Sequence, residues 1–175
     1  MALRTIRKFG DEILNKKANE VTKNTARIQT LIDDMLETMY NADGVGLAAP
    51  QVGMLKRLVV IDVSATRDEP LVLINPVVLE TSGEQTGPEG CLSFPGKSGI
   101  VTRPDHVKVK ALDRDFKEYT MEADGLLARA VMHETDHLEG HLYTEQVIGK
   151  VYDTNDEEAE HEAEVLAGMI PEDED

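Results

Sequence analysis

Two histidines and a glutamate form the strongest chemical signal in the chain. His133 and His137 stand four residues apart, with Glu134 between them, inside the stretch 124–143. On an α-helix this spacing places both imidazoles on one face, one turn apart, where they can bind the same metal ion. A carboxylate beside such an ion can take protons from an attacking water molecule. The spacing indicates a catalytic metal site, although a surface stripe with one buried histidine produces the same pattern.

The histidine pair is incomplete, because catalytic zinc sites use three protein ligands and keep one position open. His141 lies four residues further on, but Gly140 is expected to end the helix before it. The position at which some metalloproteases carry a third histidine is Tyr143 here. Glu157 or Glu160 would complete the two-histidine, one-glutamate set of thermolysin-like peptidases. Spacing alone does not exclude that set.

Cys91 is the remaining candidate for the third ligand, and it is the only cysteine of the chain. A lone cysteine is usually a small buried hydrophobic residue, whereas its thiolate binds divalent metals strongly. The surrounding stretch 83–99 is rich in glycine and proline and is predicted to be a long loop. A single cysteine excludes an internal disulfide, which fits a reducing compartment.

Local signals predict the elements that position these residues. Asp124 is expected to cap the histidine helix and Gly140 to end it. Asn24 or Thr25 is expected to cap a second, amphipathic helix up to residue 42, and a short helix is expected at 11–18. Runs rich in β-branched or alternating residues predict strands at 57–63, 71–80, 99–104, 106–113 and 117–124. These elements predict a single α+β domain over residues 1–175.

Composition excludes several classes of function. The chain has 175 residues, with 34 acidic against 18 basic side chains and a net charge of -16, which argues against a nucleic-acid partner bound through its phosphates. No apolar run reaches membrane-spanning length, and the N-terminal stretch lacks the apolar centre of a signal peptide. The sequence predicts a cytoplasmic protein with no membrane or DNA partner. The acidic segment 153–175 carries one weak apolar stripe and is expected to form a helix followed by a frayed tail.

Three stretches resemble the signature motifs of the peptide deformylases. They are GVGLAAPQVG (44–53), EGCLSFPG (89–96) and HETDHLEGHLY (133–143), and they occur in this order. The first stretch lacks the lysine of a P-loop and the third glycine of a dinucleotide-binding loop, so it is neither of these two phosphate-binding loops. The resemblance implies mostly antiparallel β-sheets packed around a central metal-binding helix, with an N-terminal amphipathic helix and a C-terminal helix. It also implies a hydrolase that removes the formyl group from N-terminal formyl-methionine of new polypeptides.

The resemblance further implies one divalent metal ion per chain, held by Cys91, His133 and His137. Fe(II) is the native ion in many bacterial members, and thiolate and imidazole ligands also suit Zn, Ni and Co. Glu134 would act as general acid and base. The side-chain amide of Gln51 and the backbone N–H of Leu92 would stabilise the developing oxyanion.

Substrate contacts follow from the same motifs. Main-chain groups of Val45, Gly46, Leu47 and Gly90 would hold the formyl-methionyl peptide in strand-like fashion. Val45 and Ala130, together with Leu92 and His133, would form the apolar pocket for its methionine.

Two further expectations concern a residue pair that would support the site and the partners that the protein could bind. Asp43 is expected to pair with Arg103 and so to tie the first motif to the segment after the second. Some relatives dock on ribosomal RNA through a basic C-terminal helix, and the acidic segment 153–175 disfavours that contact. The alternatives are a zinc peptidase with a glutamate as third ligand, and a non-catalytic metal site or partner-binding module.

Overall fold

Two antiparallel β-sheets and three α-helices make up residues 2–172, the part of the chain that the computed structural model describes. The helices are α1 (Ala26–Asn41), α2 (Gly125–Leu138) and α3 (Glu157–Leu166). The strands are β1 (Gly46–Ala48), β2 (Leu58–Ile61), β3 (Leu71–Ser82), β4 (Gln85–Cys91), β5 (Phe94–Arg103), β6 (His106–Leu112), β7 (Glu118–Asp124) and β8 (Ile148–Asp153). The predicted α+β class is confirmed. Within residues 2–172, no helix has the length and apolarity needed to cross a membrane.

The larger sheet separates two hydrophobic cores. Its strand order is β1-β2-β3-β6-β7, and all neighbouring pairs are antiparallel. Side chains alternate between the faces of a strand, so Leu58 and Val60 of β2 pack with α1. Val59 and Ile61 point the other way and pack with α2. The metal-helix candidate therefore lies on one face of the sheet and the N-terminal helix on the other.

Helix α1 follows the predicted pattern closely. Thr25 is the N-cap, and its hydroxyl oxygen accepts a hydrogen bond from the Ile28 backbone N–H at 3.3 Å. The buried apolar residues recur at three- and four-residue steps, and they are Ile28, Leu31, Ile32, Met35 and Met39. Of the two residues expected to cap this helix, Asn24 and Thr25, Thr25 is the cap in the structure.

The stretch 83–99 is a strand hairpin, so the prediction of a long loop there is wrong. β4 and β5 pair antiparallel on either side of a tight turn, and β8 extends this second sheet to the order β4-β5-β8. Glycine and proline have low strand propensity, but β4 lies at the sheet edge, where a proline is tolerated. Cys91 is consequently the last residue of a strand.

The N-terminal end of the chain differs from expectation, whereas the expected C-terminal helix is confirmed, and the last residues of the tail expected after it, 173–175, lie outside the described residues. The helix predicted at 11–18 is a single 3-10 turn, Glu12–Asn15, because Ala18 leaves it to donate its N–H to the Leu138 carbonyl at 2.9 Å. Strand β8 had no recognised sequence signal. After β8 in the chain, the acidic helix α3 begins with its N-cap at Asp156. Its Ala163 packs against Ile100 and Tyr152.

Asn75 provides a test of the fold that is independent of the site. Its backbone has a φ of 50°, and its side chain bonds both the N–H and the carbonyl of Val21 at 2.8 Å. We expect Asn75→Ala to lower the free energy of unfolding by about 2–4 kcal/mol, because two hydrogen bonds are lost and alanine is strained at this φ. Urea unfolding measures the loss.

Asn75→Gly is the matched control for this substitution. Glycine loses the same two bonds but adopts positive φ without strain, so its stability loss should be smaller than that of Asn75→Ala. Equal losses in the two variants would show that the backbone conformation contributes nothing.

Candidate metal centre and active site

Helix α2 presents both histidines toward the smaller sheet. Its opposite face is anchored in the core by Ala128, Val131 and Leu138, which are fully buried. His133 and His137 lie one turn apart, with ring centroids separated by 5.1 Å and side chains 7% and 1% exposed. The predicted i, i+4 geometry is therefore present in a buried environment, as a metal site requires.

Cys91 completes a group of three ligand atoms. Its sulfur lies 3.4 Å from Nε2 of His137, and one ligand atom from each of Cys91, His133 and His137 lies within 4.8 Å of the others. Within the part of the chain that is described, this is the only group of three or more His, Cys, Asp or Glu side chains that converges in this way. A thiolate and two imidazoles are donors that suit Fe, Zn, Co or Ni.

The competing ligands lie elsewhere. His141 is exposed and its Nδ1 lies 3.2 Å from Glu145, so it has left the ligand face as Gly140 predicted. Tyr143 instead places its ring against His133, with centroids 5.8 Å apart. Glu157 and Glu160 are on α3, outside the converging group.

Glu89 orients the first histidine, and sequence reasoning missed this role. Its Oε1 lies 2.5 Å from Nδ1 of His133, which leaves Nε2 of that ring for a metal ion. Burial opposes ionisation of Glu89, but hydrogen bonds from His133 and Arg103 hold its pKa well below its usual range. The sequence feature that could have indicated this role is the position of Glu89, two residues before Cys91 in the second motif.

The histidines differ in protonation when no metal competes for them. Burial lowers the pKa of His137 well below its usual value, which favours the neutral imidazole that ligates metals. Burial also acts on His133, but hydrogen bonds to Cys91 and Glu89 raise its pKa well above the usual value. Metal binding at this ring must therefore displace a proton.

Glu134 is a buried carboxylate beside the ligand group. It is 5% exposed, and its Oε2 has no hydrogen-bond partner among the described residues. Burial raises the pKa of Glu134 to about 7, so the group can both accept and release a proton near neutral pH.

Gly46 makes room for this carboxylate. A Cβ atom at position 46 would lie 2.7 Å from Oε1 of Glu134 and 2.9 Å from its Cγ. We expect Gly46→Ala to displace the carboxylate and to lower kcat by about 100-fold, with metal content unchanged. Turnover and metal content, measured on the same preparation, provide the test.

Gly87→Ala is a suitable control, because its Cβ would meet its nearest neighbour, Nη2 of Arg129, at an ordinary 3.6 Å. Its activity should stay within about threefold of wild type, since no group has to move. Wild-type activity in Gly46→Ala would mean that the position of Glu134 is not critical.

The two expected oxyanion donors lie beside the ligand group. Gln51 is 1% exposed, and its Oε1 accepts from the Ala48 N–H at 2.9 Å. Its Nε2 donates to the Ser93 hydroxyl at 3.1 Å and lies 3.4 Å from the Cys91 sulfur. Leu92 directly follows Cys91, at the turn between β4 and β5.

A cavity of about 670 Å³ opens onto the site between β1, β4 and helix α2. Six of the seven residues expected to contact the substrate line it: Val45, Gly46, Gly90, Leu92, Ala130 and His133. Leu47 does not, because its side chain is fully buried in the core beside α1, so only its main chain is available to a substrate. Apolar side chains also reach the cavity from Pro88 and from Leu126, which is 55% exposed.

The expected pair between Asp43 and Arg103 is wrong. Arg103 donates two hydrogen bonds to Glu89, at 2.6 and 3.1 Å, and one to Asp136 at 2.6 Å. The buried carboxylate of Glu89 offers a better-matched partner than the loop residue Asp43. Arg103 thereby links Glu89 to helix α2 through Asp136.

Known proteins resemble this chain over nearly its full length. The sequence profile of the polypeptide deformylase family matches residues 3–164. A peptide deformylase from Lachnoclostridium phytofermentans is 61% identical over 162 residues, which cover 93% of this chain and 99% of that protein. A peptide deformylase from Agathobacter rectalis is 59% identical over 160 residues, covering 91% and 99%.

Solved structures agree with this result. The crystal structure of a peptide deformylase from Legionella pneumophila has a TM-score of 0.81 at 40% identity, and the match covers 96% of this chain and 95% of that one. A peptide deformylase from Synechococcus elongatus in complex with actinonin has a TM-score of 0.80 at 40% identity, covering 93% and 85%.

Proposed function

The chain belongs to the polypeptide deformylase family, and we propose that Cys91, His133 and His137 hold the divalent metal ion on which its activity depends. The known function of the family is the deformylation of nascent peptides, and the protein is a hydrolase of this kind. The observation that carries the ligand assignment is the convergence of three buried or half-buried donors within 4.8 Å of one another, beside a buried carboxylate.

The donor set fits such an ion. Nδ1 of His133 is bonded to Glu89, so Nε2, on the side of Cys91, is the ring nitrogen available to the ion, and burial favours the neutral form of His137. A divalent ion in this position supplies Lewis-acid polarisation of the formyl carbonyl and lowers the pKa of a water molecule. We propose Fe(II) as the native ion, with Zn, Ni or Co as functional substitutes.

Glu134 moves the protons. Its carboxylate takes one from the water that attacks the formyl carbon and gives it to the departing nitrogen as the C–N bond breaks. The products are formate and a peptide with a free N-terminal amine. A carboxyl group with a pKa of about 7 performs both transfers near neutral pH.

Gln51 and Leu92 stabilise the charge that develops on the formyl oxygen. The Gln51 amide is held in place through Oε1 by the Ala48 N–H, so its NH₂ group stays beside the ligand sulfur. The backbone N–H of Leu92 provides the second donor. Preorganised donors of this type are worth about 3–4 kcal/mol each in the transition state.

The peptide binds between two edge strands. β1 lies at the edge of the larger sheet and β4 at the edge of the smaller one, and both border the cavity. Main-chain groups of Val45, Gly46 and Leu47 on one side and Gly90 on the other pair with the extended substrate. The methionine side chain contacts Val45, Leu92 and Ala130.

Helix α3 makes RNA an unsuitable partner. Its first turn carries Glu157, Glu158 and Glu160, and repulsion from phosphates opposes docking on ribosomal RNA. We propose that the protein acts in the cytoplasm on formyl-methionyl chains near the ribosome, without holding RNA through this helix.

Formate release tests the proposal. The full chain is loaded anaerobically with Fe(II) or Ni(II) and incubated with formyl-Met-Ala-Ser, and formate is measured. Acetyl-Met-Ala-Ser is the matched control, because the acetyl methyl group needs space that a site built for a formyl hydrogen lacks. The proposal predicts formate from the first peptide and no hydrolysis of the second. A metal-loaded protein that releases no formate would instead support a non-catalytic role.

A further inference from the structure

Arg129 is a buried cation on helix α2 with no role in the proposed chemistry. It is 7% exposed and lies one turn before His133. We propose that Arg129 is a positioning residue that holds the two-histidine helix in register with the cysteine strand β4. This inference rests on the proposed metal ligands and concerns how tightly they retain the ion.

Arg129 supplies the last donor to Glu89. The Oε1 atom of that carboxylate accepts from Arg103 at 2.6 Å and from His133 at 2.5 Å. Its Oε2 atom accepts from Arg103 at 3.1 Å and from Nη1 of Arg129 at 2.8 Å. Each oxygen therefore receives two donors, which fills the acceptor capacity of a carboxylate. Without Arg129, Oε2 of Glu89, the residue that orients His133, would lose one of its two hydrogen-bond donors.

Arg129 also joins separate elements of the fold. Nη1 donates to the Val101 carbonyl of β5 at 3.1 Å, and Nη2 donates to the Gln85 carbonyl of β4 at 3.4 Å. A single guanidinium thus connects α2 to both strands of the hairpin and to the Glu89 side chain. The planar fork of arginine suits this function, because its donors point in fixed directions.

The connection matters because the metal ligands come from both sides of it. Cys91 ends β4, whereas His133 and His137 belong to α2. Any relative movement of strand and helix changes the distances among the three ligand atoms. Arg129 ties the strand at Gln85 and Glu89, before Cys91, and the helix one turn before His133. Loss of the Arg129 hydrogen bonds should allow the distances among the three ligand atoms to vary, while all three ligands remain present.

The test measures metal retention directly. The zinc-loaded full-length protein is mixed with a chromogenic chelator, and the zinc dissociation constant is determined for Arg129→Met, Arg129→Gln and Arg129→Lys. We expect the Met and Gln variants to bind zinc about 10- to 100-fold more weakly, as loss of support behind a metal ligand typically does. Lysine keeps the charge and one bond, so its loss should be smaller. In Co(II)-loaded protein, the visible spectrum of the Met variant should differ from that of wild type.

Arg57→Met is the matched control. Arg57 also pairs with a carboxylate of the α2 end, Glu139 at 2.7 Å, but it has no contact with the ligand group. Its zinc affinity and Co(II) spectrum should equal those of wild type.

The outcomes separate this inference from the proposed function. Wild-type zinc affinity in folded Arg129→Met or Arg129→Gln overturns the inference, as does failure of all three Arg129 variants to fold, which would make Arg129 a general stability residue. An equal loss of affinity in Arg57→Met overturns it as well. A wild-type protein that binds zinc but releases no formate with Fe(II) or Ni(II) overturns the function alone.

Discussion

Glu134→Gln is expected to keep the metal and to lose nearly all turnover. Glutamine matches glutamate in size, so the packing against Gly46 is retained. Its amide cannot accept the proton of the attacking water, and general acid–base catalysis typically contributes about 10²- to 10⁴-fold. We therefore expect kcat to fall by that factor. Formate release and metal content, measured on one anaerobic preparation, provide the test.

Glu139→Gln is the control for this variant. Glu139 is the C-cap of the same helix, and its side chain is 43% exposed and paired with Arg57 outside the site. Its activity should be close to that of wild type. Full turnover in Glu134→Gln would disprove the proton-transfer role, and loss of metal there would make Glu134 part of the ligand support.

Cys91→Ser is expected to abolish both metal retention and activity. Serine is similar in size, but its hydroxyl is a far poorer ligand than a thiolate for these ions. Removal of a ligand should weaken zinc binding by more than the roughly 10- to 100-fold that loss of a supporting residue costs. Only two protein ligands would remain. Competition with a chelator measures the affinity, and formyl-Met-Ala-Ser measures the activity.

Ser98→Ala provides the comparison for Cys91→Ser. Ser98 lies on β5 of the same hairpin, where it lines the cavity but is outside the ligand group, and its hydroxyl bonds Thr154 at 2.9 Å. This variant should bind metal as wild type does. If Cys91→Ser retains both metal and deformylation, the third ligand is a different residue and the assignment fails.

Sequence patterns predicted the elements whose signals are local. The apolar spacing of α1, its cap at Thr25 and the alternation of β6 all follow from side chains within a few residues of each other. The hairpin β4–β5 did not follow, because its glycines and prolines have low strand propensity, even though its two strands pair locally across a tight turn. Strand β8 was missed for a different reason, because it is short and its partner strand β5 lies far away in the chain.

Within the site, the sequence by itself determined the relation between His133 and His137. Their four-residue spacing brings them together on any α-helix, because helix geometry is set by local hydrogen bonds. The resemblance to a known family added Cys91, and the structure places its sulfur 3.4 Å from a histidine 46 residues later. That proximity depends on how the smaller sheet packs against α2.

Only the tertiary structure decided what supports the ligands. It replaced the expected partner of Arg103, Asp43, with Glu89 and Asp136, and it brought Arg129 to the same carboxylate. It also showed why position 46 is a glycine, since a side chain there would strike Glu134. These contacts join elements far apart in the chain, and their geometry is set by the packing of the whole domain, which no local pattern of residues encodes.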